Sequence, residues 1–142
     1  MAHGDQGGGY ALHVVDDRLS LAWNGYGSMT EVEGGVLSDG ATSVVLVAEA
    51  VGDLRIHVEL RVDGEVVGGA RDLPVLMAMA PFQGIDVGID RKSPVSWAIS
   101  ERFGTFPWTG TLHGVTYRPG EPAPDAGVRW LEVLREAGTK FE

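Results

Sequence analysis

The sequence contains no cysteine. That excludes disulfide bridges, thiolate metal sites and a cysteine nucleophile. Positive charge is scarce as well: 11 Lys and Arg stand against 20 Asp and Glu, a net charge of −9. A surface of that sign repels phosphate, which argues against a nucleic-acid partner and against an anionic membrane. No apolar run approaches the roughly 18 residues of a membrane span. Met1-Ala2-His3-Gly4-Asp5-Gln6 has neither the basic start nor the apolar core of a secretion signal. These absences lead to the expectation of a soluble, cytoplasmic protein. Chemistry-bearing groups are equally sparse. His3, His13, His57 and His113 show no i,i+2 or i,i+4 pairing of the kind metal ligands or catalytic pairs use. No nucleophile–base pair stands at a suggestive spacing, so no catalytic residue and no enzyme activity are expected.

What is present is glycine, 21 residues of 142, enough to turn a chain many times between short strands. The length suits one domain with one core. Gly4 to Gly9 reads as a turn too glycine-rich for a packed strand. Tyr10 to Val15 and Leu19 to Trp23 read as a hairpin closed at Asp16-Asp17, with Leu19, Leu21 and Trp23 on one core-facing side. Asn24-Gly25-Tyr26-Gly27 breaks that strand, and residues 28 to 40 hold one short strand. Ser43 to Ala48 is β-branched and nearly all apolar, the pattern of a strand buried on both faces. Leu54, Ile56, Val58, Leu60 and Val62 alternate with polar residues, which predicts an amphipathic strand central to a sandwich. Asp63-Gly64 turns it into a return strand from Glu65, and Pro74 and Pro81 bracket an extended segment from Leu73 to Ala80. Ile85, Val87 and Ile89 alternate again with Asp86, Gly88 and Asp90. After a long aromatic loop, Thr109 to Tyr117 reads as a further strand. Residues 119 to 124 form a Pro-rich linker. Residues 125 to 138 follow as an amphipathic helix capped by Asp125 and stopped at Gly138, with Val128, Leu131, Leu134 and Ala137 on one stripe. Such a helix must dock on something, either in its own chain or across a homodimer. The reading is all-β, a two-sheet antiparallel sandwich over residues 1 to 118, with one C-terminal α-helix.

Three runs in the central stretch carry a resemblance: Gly84-Ile85-Asp86-Val87-Gly88, Ser93-Pro94-Val95-Ser96, and Phe106-Pro107-Trp108-Thr109-Gly110-Thr111-Leu112. Gly8-Gly9-Tyr10-Ala11-Leu12, Arg18-Leu19 and Leu60-Arg61-Val62-Asp63-Gly64 precede them in matching order. Over roughly residues 3 to 117 the chain resembles the non-catalytic C-terminal domain of large bacterial arylsulfatases. The resemblance implies a concanavalin A-like (laminin-G-like) jelly roll that packs on a catalytic domain. The Cys/Ser-x-Pro-x-Arg motif that matures to the sulfatase nucleophile is missing, since Ser93-Pro94 places Ser directly before Pro. Ile89-Asp90-Arg91-Lys92 also replaces the usual Arg-Asp-Thr-Gly-like turn.

The expected role is therefore a non-catalytic accessory or interaction domain, freestanding or a fragment of a longer sulfatase, contacting a protein partner or a second copy. The alternative is a small carbohydrate-binding module of the concanavalin A-like class. Candidate contact residues are Asp90, Arg91, Trp97, Phe106 and Trp108. With Phe103, these aromatics can stack on sugar, meet a protein surface or pack locally. No cofactor is expected, Ca²⁺ being the one candidate. Asp86 and Asp90, four apart in a strand, are candidates for Ca²⁺ together with Asp72, as in some laminin-G-like domains, or a merely solvated face.

Overall fold

The computed structural model describes residues 1–76 and 83–139. Five strands form one antiparallel sheet: β1 (Ala2–Asp5), β2 (Gly8–Val15), β3 (Arg18–Gly25), β4 (Ser28–Val36) and β8 (Ile85–Asp86). Its order is β4-β3-β2-β1-β8, and β5 (Val44–Gly52), β6 (Arg55–Val62) and β7 (Glu65–Pro74) make a second sheet in chain order. Two helices follow, α1 (Trp97–Phe103) and α2 (Ala126–Thr139). The two-sheet antiparallel sandwich with a C-terminal helix is the architecture expected from the sequence.

Two-residue turns set the registers. Asp16-Asp17, Tyr26-Gly27, Asp53-Leu54 and Asp63-Gly64 all have positive φ at both positions. That is the backbone of the tight hairpin turn whose twist matches the strands. Leu54 therefore belongs to a turn, and the predicted strand begins at Arg55 instead. The rest of that strand behaves as expected. Val58 and Leu60 are buried, and β6 lies between β5 and β7.

The main core lies between the sheets. Leu21, Trp23 and Val32 of the first sheet meet Val58, Leu60 and Leu73 of the second. Tyr10 stacks on Trp23 at 5.8 Å, and the Trp23 indole N–H donates to the Pro74 carbonyl at 3.1 Å. The sheets come closest at one side, where β4 meets β7. A Cβ added to Gly68 would stand 2.2 Å from the Glu33 carbonyl oxygen, so only glycine lets the two backbones meet there. A smaller core of Ala2, Ala11, Ala22 and Val95, with Ile99 against it, covers the opposite face of the first sheet.

Several local expectations are corrected. Gly4 and Gly9 are paired strand residues, and each would drive a Cβ within 2.3 Å of the other strand's backbone. Glycine builds this hairpin because nothing larger fits between the strands. Trp23 and Ala22 are both buried, so β3 has two dry faces. β5, by contrast, is an edge strand with Val44, Val45 and Val47 exposed. An apolar run reads the same whether it is buried by two layers or left at an edge. β8 shrinks to two residues with Ile85 and Val87 exposed, and Thr109 to Tyr117 has no strand structure. Part of the expected Leu73–Ala80 segment, from residue 77, lies outside the described residues.

α2 is anchored by charge at its start. The Asp53 N–H donates to the Asp125 carboxylate at 2.8 Å, and Arg129 bridges Asp53, Asp125 and Glu132. Asp125 thus turns to the β5–β6 turn, where the sequence pointed to a helix cap. Val128, Leu131 and Leu134 stay exposed, so of the two expected dockings, in the same chain or across a homodimer, the stripe does not make the first.

Candidate functional site

The stretch from Gln83 to Trp108 leaves the first sheet at β8, passes beneath it and returns. Asn24 holds it there. This buried side chain donates from Nδ2 to the carbonyls of Asp5, Gln6 and Val95 at 3.3, 3.0 and 3.1 Å. Its Oδ1 accepts from the Gly27 N–H at 2.8 Å. In the sequence Asn24-Gly25 signalled only a turn, and nothing local marks an Asn that ties a loop 71 residues away. Val95 enters the small core behind this anchor, and Ser96 is buried beside it.

Both candidate carboxylates brace this loop. Asp86 accepts from the Arg91 N–H at 2.9 Å and Asp90 from the Val95 N–H at 3.2 Å. Burial pushes the Asp90 carboxyl above its usual value, against the Val95 bond, and the Asp86 charge pushes the same way. The other Asp90 oxygen is buried without a partner. Asp72 sits on β7 in the other sheet, its N–H donating to His57 Nδ1 at 3.2 Å. Among the described residues no three His, Asp or Glu side chains converge as metal ligands, so the expected Asp72, Asp86 and Asp90 set does not assemble. The Asp86 and Asp90 carboxylates are taken up by the backbone of the loop. Beside Asp86 lies a shallow cavity of about 210 Å³ lined by Gln83, Gly84, Ile85, Asp86, Arg91 and Lys92. The Gln83 amide closes one end, donating to the Arg91 carbonyl and accepting from the Ser93 N–H, both at 2.9 Å.

The aromatic candidates divide. Phe103 and Phe106 meet edge to face at 6.2 Å, with the Arg102 guanidinium 4.8 Å above the Phe103 ring. Trp97 opens α1 and is 55% exposed; Trp108 is 42% exposed and lies against Gly110. A bridge between Ile89 and Pro107, and the Trp108 N–H donating to the Gly88 carbonyl at 2.5 Å, join the two ends of the loop. The structure thus pairs two of the rings and leaves the two indoles to solvent.

The histidines take separate places. His3 meets Tyr10 edge-on, and His113 lies in the exposed segment after Trp108. His13 on β2 has its Nδ1 buried without a partner, and burial, with the nearby amino terminus adding to it, lowers its basicity. The chain matches no family model, no curated protein and no solved structure. No helix is long and apolar enough to cross a membrane among the described residues.

Proposed function

We propose that this chain is a non-catalytic interaction domain of the arylsulfatase C-terminal type, freestanding or part of a longer sulfatase. One observation carries the interaction reading: large apolar side chains stand exposed in two bands, Val44, Val45 and Val47 on β5 and Val128, Trp130, Leu131 and Leu134 on α2. Clustered apolar surface of this kind marks a protein contact. The arylsulfatase-type reading rests on the order of the six sequence segments. It is supported by their gathering into one body. Gly8–Leu12 and Arg18-Leu19 lie in neighbouring strands, Leu60–Gly64 makes the β6–β7 turn, and Ser93–Ser96 tucks under the first sheet.

The carbohydrate alternative has its own footing in the exposed indoles of Trp97 and Trp108. Light scattering over a concentration series, run beside a glycan array, separates the readings. Association without selective glycan binding is expected. Selective glycan binding that Trp108→Ala abolishes would transfer the chain to the carbohydrate-binding class. An aryl sulfate assay with Ca²⁺ supplied should give background rates, and turnover that survives purification would overturn the non-catalytic assignment.

A further inference from the structure

Among the described residues, β5 is an edge without a guard. Sheets blunt free edges with Lys, Pro, bulges or a covering segment, because bare N–H and C=O groups template another strand. The run Val44 to Ala50 holds neither Lys nor Pro, its one charge is Glu49, and its register shifts only beyond Ala50. The other edges are managed: β4 and β7 press together at Gly68, and β8 is two residues long. Among the described residues, β5 is hydrogen-bonded only through β6.

The phase of that ladder is fixed by the Asp63 N–H, which donates to the Ser43 carbonyl at 3.0 Å. Ser43, Val45, Val47 and Glu49 accordingly turn their backbone groups to β6. Val44, Leu46, Ala48 and Ala50 turn theirs to the open side. We propose that this open side pairs antiparallel with β5 of a second copy of the chain, across a two-fold axis at Val47. Two three-stranded sheets then become one continuous sheet. The inference deepens the interaction-domain reading and rests on it.

Register and charge favour a second copy as the occupant. Val47 is the midpoint of the regular run Val44 to Ala50. An antiparallel edge is its own complement under a two-fold axis, so each outward donor finds an outward acceptor, about eight hydrogen bonds in all. Val45 then stands opposite the second copy's Glu49. Since Val45 also lies opposite Arg61 on β6, that carboxylate falls in one row with a guanidinium. A two-fold axis at Glu49 would instead set like charges face to face. On the outer face Val45 and Val47, 45% and 38% exposed, each gain a cross-strand neighbour. The partner strand begins beside the Asp53-Leu54 turn, where the start of α2 is tied through Asp125.

Ala48→Pro is the decisive variant. Its N–H points outward, so proline there removes an edge donor and leaves the β5–β6 ladder intact. Val47→Lys is a second variant that needs no backbone change, and Val36→Lys on β4 is the control. Sedimentation equilibrium should show a wild-type dimer. Ala48→Pro and Val47→Lys should each raise the dissociation constant about tenfold or more, with melting of the monomer unchanged and Val36→Lys still dimeric. A monomeric wild type whose Leu46 and Ala48 amides are protected from exchange would overturn the proposal in favour of a covering segment of its own chain. Association that survives both β5 variants but disappears when the chain is cut after Pro122 would also overturn it, while leaving the interaction-domain reading standing. A monomer that binds glycans would remove both.

Discussion

Leu54 and Leu60 are the same residue type, six apart and in phase in the sequence, yet they occupy opposite physical situations. Leu60 has no exposed surface and sits at the centre of the inter-sheet core. Truncating it to Ala removes buried methyl groups and leaves a cavity, at a cost of about 3 kcal/mol within the usual range of 2–5. For a chain of this size that corresponds to a fall in Tm of roughly 6–12 °C. Leu54 is 39% exposed and holds φ at +56°. A branched side chain in that left-handed conformation costs roughly 1–2 kcal/mol, which Asn tolerates far better. Leu54→Asn gives up partial burial worth about as much. Its net effect should therefore lie within about 1 kcal/mol of zero. Urea unfolding of the two variants, read as midpoint shifts at constant slope, makes the comparison. If Leu54→Asn costs as much as Leu60→Ala, Leu54 is a core strand residue and the Asp53-Leu54 turn is misplaced.

Gly68→Ala forces a Cβ against the Glu33 carbonyl and should destabilise by about 1–3 kcal/mol, with exchange of β4 and β7 amides accelerated first; an unchanged Tm would mean the sheets do not meet there. His13 is less basic folded than unfolded, so its contribution is complete above the ordinary His value of about 6.5 and is lost as pH falls below it. Tm should drop between about pH 8 and about pH 5.5, and His13→Phe should flatten that slope; equal slopes would place the imidazole in solvent. Asp63 accepts from the Thr42 hydroxyl and from the Thr42 and Ser43 N–H groups, which hold its carboxyl below the usual range. That contribution is present above about pH 4 and fades as acid protonates the group, so Asp63→Asn should blunt acid unfolding; identical acid midpoints would show these bonds carry no linkage.

The strands and their turns were legible because alternation and Asp-Gly or Asp-Asp signals are local. Val58 and Leu60 lie where period-2 burial puts them, and Asp63-Gly64 turns where it should. What could not be read locally was the layer each strand meets. Val44 to Val47 is equally apolar at an edge or in a centre, and Ala22 is buried only because Val95, far along the chain, returns to cover it. Thr109 to Tyr117 has strand composition but no hydrogen-bonded neighbour strand among the described residues, and composition alone makes no ladder. At the candidate site, alternation set Asp86 and Asp90 on one strand face, but β8 ends at Asp86 and the two carboxylates instead bond the loop's own backbone at Arg91 and Val95. Asn24 escaped notice because its partners lie in other elements.

The succession of two-residue turns has a kinetic consequence. Every strand from β1 to β4, and from β5 to β7, pairs with the strand next to it in the chain. Each meander can zip up by hairpin extension, with little loop-closure entropy at any step. The pairing of Ala2 with Asp86 is different, for it joins residues more than 80 positions apart. Two locally nucleated sheets should therefore assemble early, and β8, with the loop that Asn24 anchors, should lock last. Under native conditions the same order runs backward: the amides around Ile85 and Val95 open first, well before the β6 ladder yields.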